Sequence, residues 1–158
     1  QVAVVLNLDA GNVRAVYRCS PGPSGVEATE IARVEAAGTI RAIDSFAPAM
    51  NNDGLVTFRG RDANGQAIYV GDGTTLRRVI GKDDLVATDL GIAGIGQHVD
   101  DPNGWPIFSG APGINAHGDI AFIAGLYPQG NNQVEWGSGV FVAYADGDVI
   151  FQDGFENP

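Results

Sequence analysis

Sulfur, lysine and histidine are scarce in this chain: its 158 residues include one cysteine, one methionine, one lysine and two histidines. The solitary Cys19 excludes an intramolecular disulfide and a cysteine-built zinc site, leaving a buried thiol or a bridge between two chains. His98 and His117 belong to no His-Glu-x-x-His helix or close-spaced ligand set, so catalytic zinc has no motif to rest on. Basic charge is also short. Nine Lys and Arg face nineteen Asp and Glu, a net charge of −10, and such a field repels phosphate backbones, so no nucleic acid partner is expected. The acids are dispersed, with Asp83-Asp84 and Asp100-Asp101 the adjacent pairs, as on a solvated surface and unlike a disordered acidic tail. No apolar run approaches the ~20 residues of a spanning helix, and no membrane span is expected.

Abundant instead are short apolar runs punctuated by 23 Gly and 8 Pro, within a 44% hydrophobic composition. That pattern predicts a single all-β domain over 1–158. Strict alternation predicts half-buried strands: Val13, Ala15 and Tyr17 share one face, and Val56 and Phe58 repeat in phase as Ile120 and Phe122. Asn64-Gly65 and Asp72-Gly73 predict tight two-residue hairpins between strands at Leu55–Gly60, Ala67–Val70 and Leu76–Ile80. A longer return runs through Trp105-Pro106-Ile107-Phe108. Residues 26–37 contain good helix formers, but the repeat described next favours a strand at Thr29–Val34.

The phrase Ala47-Pro48-Ala49-Met50-Asn51-Asn52-Asp53-Gly54 returns sixty-four residues later as Ala111-Pro112-Gly113-Ile114-Asn115-Ala116-His117-Gly118. Each copy runs into a strand, Leu55–Phe58 or Asp119–Phe122. A fixed repeat of this length marks a unit that buries its apolar face on a neighbouring copy. The sequence divides into a leading strand (1–10), a divergent repeat (11–50), a repeat (51–114) and a truncated repeat (115–158). About two and a half propeller-like antiparallel blades are too few for a closed ring of four to eight. Val2, Ala3, Val4, Val5 and Leu6 have no evident partner in the first unit, and the last unit lacks a strand. Open sheet edges recruit strands, so 1–10 is the candidate for donation to a second chain, completing the fold by intermolecular strand pairing.

Asn51-x-x-Gly54-x-x-Thr57-Phe58 and Asn115-x-x-Gly118-x-x-Ala121-Phe122 resemble the Asn-x-x-Gly-x-x-Ala-Phe tandem repeat of secreted bacterial proteins, Thr57 departing from the pattern. Ala67–Gly73, Leu76–Val79 and Asp83-Asp84 are similar to its continuation, and the resemblance covers roughly 46–147. It implies an extracellular, propeller-like β protein with no established catalytic set. The closing Ile150–Glu156 is similar to short endings of exported proteins. Gln1 followed directly by a β-type run reads as a mature end left by signal-peptide removal, so secretion to the extracellular space or cell surface is expected.

Chemistry is sparse. Gly-x-Ser-x-Gly is absent around Ser24 and Ser138. Asp62, Asp72, Asp83, Asp84, Asp100 and Asp101 are the carboxylates from which a glycosidase pair would be drawn, yet nearly all sit in turn contexts. No metal site is assigned; calcium is the best ligand candidate, at Asp83-Asp84 and Asp100-Asp101-Pro102-Asn103, without the twelve-residue loop. Gly91–Gly96 lacks the Lys-Ser/Thr of a phosphate loop and reads as a flexible connector. Trp105 and Trp136, with Tyr127, Tyr144 and Phe155, are the aromatic candidates for an extracellular glycan platform.

The leading expectation is a non-enzymatic, secreted structural protein that joins copies of itself head-to-tail into a filament or surface layer by β-strand complementation. The alternative is an extracellular glycan- or protein-binding β module without catalysis.

Overall fold

The computed structural model describes residues 1–8, 13–96 and 107–145, and the backbone of 149–151. Among these residues there are fourteen strands and no helix, arranged in three antiparallel sheets. The first sheet is the meander β1 (Val2–Leu8), β2 (Val13–Gly22), β3 (Gly25–Arg33). The second contains β4 (Ala42–Ile43), β5 (Ala49–Met50), β6 (Val56–Arg61), β7 (Gln66–Gly71) and β8 (Leu76–Gly81), with β4 and β5 sharing one edge of β6. The third contains β9 (Leu85–Thr88), β10 (Gly91–Ile95), β11 (Phe108–Ile114), β12 (Ile120–Pro128), β13 (Gly137–Ala143) and β14 (Val149–Phe151). The propeller-like, incompletely closed all-β architecture expected from the sequence is present.

The repeat is reproduced atom for atom at its turn. Asn51 Oδ1 accepts from the Asp53 and Leu55 amides at 3.1 and 3.0 Å, and Asn115 Oδ1 accepts from His117 and Asp119 at 2.9 and 3.0 Å. Gly54 and Gly118 follow at φ +84° and +90°, a region in which a Cβ is strained. The strands keep the same register: Met50 faces Val56 and Ala49 faces Thr57, while Ile114 faces Ile120 and Gly113 faces Ala121. Phe58 stacks on Tyr69 at 5.6 Å, and Phe122 on Phe141 at 5.4 Å.

The first sheet obeys the same plan. Val16 faces Ala32 and Tyr17 faces Glu30 across a bulge, as Ile68 faces Ile80 and Tyr69 faces Arg78. Val4 opposite Tyr17 therefore holds the place of Phe58 opposite Tyr69. Three blades follow, namely β1–β3, β4–β8 and β11–β14.

Several expectations need correction. Val2–Leu6 is not unpaired: β1 is hydrogen-bonded to β2 within the same chain, from Val2 opposite Cys19 to Leu8 opposite Val13. The last unit does not lack a strand, because β11 lies on β12 and the blade begins one strand before the Asn motif. Gly91–Gly96 is not a connector: β10 pairs with β9 and with the far end of β12. The turns at Asn64-Gly65 and Asp72-Gly73 span four residues each, Asp62–Gly65 and Asp72–Thr75. Their organisers are the leading aspartates, which accept from amides two and three residues on, at 2.7 and 3.0 Å for Asp62 and 2.7 Å for both in Asp72. The strand expected at Thr29–Val34 is present as β3, although it starts earlier, at Gly25, and ends at Arg33.

The middle blade is buried on both sides. Along β7 every residue is inside, because Ala67 and Tyr69 join a core with Val16, Ile31, Ile43, Val56 and Phe58 of the first two blades. Ile68 and Val70 join a second core with Phe108, Ile120, Phe122 and Phe141 of the third. The period-2 pleat thus feeds two blade interfaces from one strand. A strand buried on both faces loses the hydrophobic-in, polar-out pattern, which is why Ala-Ile-Tyr-Val reads as an unbroken apolar run.

Candidate assembly surface

At each interface, the face carrying the Ile68-type residue packs on the face carrying the Tyr69-type residue of the next blade. Val16 of the first blade shares a core with Phe58 and Tyr69 of the second, and Ile68 of the second shares one with Phe122 and Phe141 of the third. Two faces of opposite kind remain at the ends of the stack. The first blade presents Val2 (57% exposed), Val4, Leu6 (43%) and Tyr17, while Ala3 and Val5 point inward and pack on the core. The third presents Ala121, Ile123 (40%), Val140 (40%) and Val142. At the positions matching these last four, the middle blade has Thr57, Arg59, Ile68 and Val70, all buried.

The first blade differs in one further respect. On the edge of β6 lie β4 and β5, and on the edge of β12 lies β11, whereas the matching edge of β1 has no strand on it among the described residues. The sequence expected Val2–Leu6 to be a donor; it is already paired with β2 as the terminal strand of its sheet.

The remaining site residues have structural roles. Asn51, Gly54, Phe58, Asn115, Gly118, Ala121 and Phe122 shape the turn and the strand after it. Asn51 is buried and its Nδ2 has no partner, whereas Asn115 Nδ2 donates to Asp119 Oδ2 at 2.9 Å. The reason is local: the position of Asp119 is Leu55 in the middle blade. This bond and the Ala145 amide hold the Asp119 carboxyl below its usual range. Trp136 is half-buried against the larger core, and Trp105 lies outside the described residues, so no Trp105–Trp136 platform is described.

Asp62, Asp72, Asp83 and Asp84 are committed to the fold. Arg78 bridges Asp62 (2.9 Å) and Asp84 (2.6 Å), and Asp84 also accepts from the Gly81 amide at 2.8 Å. Burial works to raise Asp62, but the Asn64 amide and Arg78 outweigh it and hold its carboxyl low. Asp83 sits in the left-handed region at φ +67° and accepts from the Tyr127 hydroxyl at 3.0 Å. Burial, then this bond, push the Tyr127 phenol up to about 12. The Thr75 and Thr74 amides hold Asp72 far below the usual range. Asp83 and Asp84 thus serve different neighbours, and the described residues contain no cluster of three metal-ligating side chains. His117 is an exposed turn residue; His98, Asp100, Asp101, Asn103 and Phe155 lie outside the described residues.

Sequence reasoning missed the end faces, because exposure of Ile123 and Val140 depends on which blade is last. Their signal was available: the alternation of the third unit matches that of the second, whose corresponding residues are buried. None of the protein-family models, curated proteins or solved structures compared with the chain matches it.

Proposed function

We propose that this protein is a structural subunit that joins copies of itself head-to-tail into an extracellular filament or surface layer. The observation that carries the reading is the complementarity of the stack's two ends. The open face of the third blade is the kind that packs forward, and the open face of the first is the kind that receives it. A second copy stacked in chain order continues an interface already made twice within one chain. Such a contact is heterologous, so it propagates unless its rotation closes a ring. Exposed apolar residues on both end faces, Val2 and Leu6 on one and Ile123 and Val140 on the other, favour association over a solitary module. The edge of β1, which carries no strand among the described residues, adds strand complementation, since backbone donors and acceptors there match an incoming antiparallel strand.

The test uses two surface variants of the full chain, Ile123→Asp/Val140→Asp on the third blade and Val2→Asp/Leu6→Asp on the first. Analytical ultracentrifugation and negative-stain microscopy of the intact chain are expected to give concentration-dependent linear species. Each variant alone stays monomeric, and an equimolar mixture stops at heterodimers, because each partner retains one competent face. A monodisperse monomer from the intact chain at high concentration, or polymers undiminished by both pairs, refutes the proposal.

A further inference from the structure

A hollow of about 270 Å³ is lined by the connector between β4 and β5 together with residues of β2, β6 and β7. Three of the chain's eight arginines line it, Arg14, Arg59 and Arg61, against one carboxylate, Asp44. Arg59 Nη2 lies 3.0 Å from Asp44 Oδ2 and Arg61 Nε 3.9 Å from Asp44 Oδ1, which leaves the cluster with two positive charges beyond its single acid.

Nothing in the repeat requires this. At the position of Arg59 the other blades carry Val5 and Ile123, and at that of Arg61 they carry Asn7 and Gly125. Arg59 is almost wholly buried: its guanidinium lies 4.2 Å from the Phe46 ring centroid, donates to the Gly110 carbonyl of the third blade at 2.7 Å, and leaves Nε without a partner. Burial lowers its affinity for a proton, with Asp44 pulling the other way. A buried guanidinium incompletely matched by acceptors is a costly feature in the interior of a fold.

Donors also face outward. Arg14 spends Nε on Asn7 and Nη1 on the Ile43 carbonyl and Ser45 Oγ, leaving Nη2 without a partner among the described residues. Arg61 is half exposed, with both terminal nitrogens unengaged there. The connector between β4 and β5 brings Ser45 and Phe46 to the rim.

We infer that this hollow binds the carboxylate of an acidic monosaccharide unit, with Arg61 and Arg14 on the carboxylate, Asp44 and Ser45 on ring hydroxyls, and Phe46 against the ring's apolar face. The planar guanidinium fork matches a carboxylate in two-point contact. The cavity lies just below the ~300–1,000 Å³ of pockets that enclose drug-sized ligands, which fits one small ring. A neutral sugar leaves the excess charge unanswered, and an inorganic anion leaves Phe46 and Asp44 unused. The site is independent of the end faces, so its occupancy and self-association are separable.

Titration calorimetry of the full chain with sodium glucuronate, at constant ionic strength, is the test, with glucose and sodium sulfate as comparison ligands. Glucuronate is expected to bind at least tenfold more tightly than either. Arg61→Gln, at an exposed position, is expected to weaken it at least tenfold without lowering the melting temperature. Amide shifts in nuclear magnetic resonance spectra should centre on Ser45, Phe46 and Arg61, a readout that survives if a variant is unstable. Absence of glucuronate binding, equal affinity for sulfate (an adventitious ion only), or shifts centred elsewhere overturns the inference.

Discussion

The two motif glycines offer a controlled experiment, because they share a backbone conformation and differ in surroundings. Gly54 and Gly118 lie at φ +84° and +90°. Replacement by alanine at either costs the left-handed penalty of about 1–2 kcal/mol. At Gly118 that is the whole effect, since a new Cβ meets Leu55 Cδ1 at 3.4 Å and Ala145 Cβ at 3.5 Å, ordinary contacts. At Gly54 the new Cβ runs into the Arg18 guanidinium, which donates to the Gly54 carbonyl at 2.8 Å. The long side chain swings away and the bond is lost. A bond from a charged donor contributes about 1.5–3 kcal/mol, and partial exposure reduces this to roughly 1–2.

Gly54→Ala is therefore expected to destabilise by about 2–4 kcal/mol and Gly118→Ala by about 1–2. At this chain length each kcal/mol lowers the melting temperature by roughly 2–4 °C. Urea denaturation followed by circular dichroism measures both, provided the slopes agree across variants. The decisive arm is a double-mutant cycle. In an Arg18→Ala background the cost of Gly54→Ala should fall to that of Gly118→Ala, a coupling of about 1–2 kcal/mol, while Gly118→Ala should be unchanged. Equal costs at the two glycines, or coupling below about 0.5 kcal/mol, refutes the assignment of the difference to Arg18.

Two further outcomes follow from burial. Phe141→Ala removes a fully buried ring stacked on Phe122 and should cost about 3–5 kcal/mol, whereas Val140→Ala, one residue away on the open face, should stay within about 0.5 in dilute monomer by thermal denaturation. In an alkaline titration followed by phenolate absorbance, Tyr69 and Tyr127 should ionise at about 12, both displaced upward first by burial. Because the unfolded phenols ionise near ~10, this stabilisation is complete below that pH and is lost as pH rises through the folded values, so urea midpoints should fall over that window. A single ordinary tyrosine step with the fold intact contradicts it.

Much of the fold was legible because the Asn-x-x-Gly turn is local chemistry: Asn51 and Asn115 read the same four-residue frame wherever it occurs, and Val56-x-Phe58 and Ile120-x-Phe122 carry the pleat. The helix-prone composition of 26–33 lost to the pairing of β3 with β2, a tertiary effect that propensity does not contain. The same holds for Val2–Leu8, whose partner β2 follows at once. Its expected isolation came from counting units from the Asn motif, although the blade begins one strand before it. The arginine hollow was invisible for a related reason: Arg14 is far in sequence from Arg59 and Arg61, and the connector between β4 and β5 brings Asp44 and Phe46 to them.

Unequal spacing between units also has a structural consequence. β12 follows β6 by sixty-four residues, but the Phe141 of β13 follows Tyr69 of β7 by seventy-two. The eight extra residues lengthen β12 beyond Gly125 and enlarge the following turn, and doubling a loop costs only about 0.6 kcal/mol of closure entropy. The added length, Leu126–Pro128, is the stretch on which Ile95, Gly94 and Ala93 of β10 pair. Through β10 it holds β9, which lies near β14 at the outer margin of the third blade. At this end of the stack the face of Ile123 and Val140 is open and β11 covers the inner edge of β12, whereas at the other end the face is open and the matching edge of β1 has no strand on it among the described residues. Under the proposed assembly the two ends therefore differ: the third blade contributes a face, and the first offers, among the described residues, both a face and the β1 edge that β4, β5 and β11 cover in the other blades.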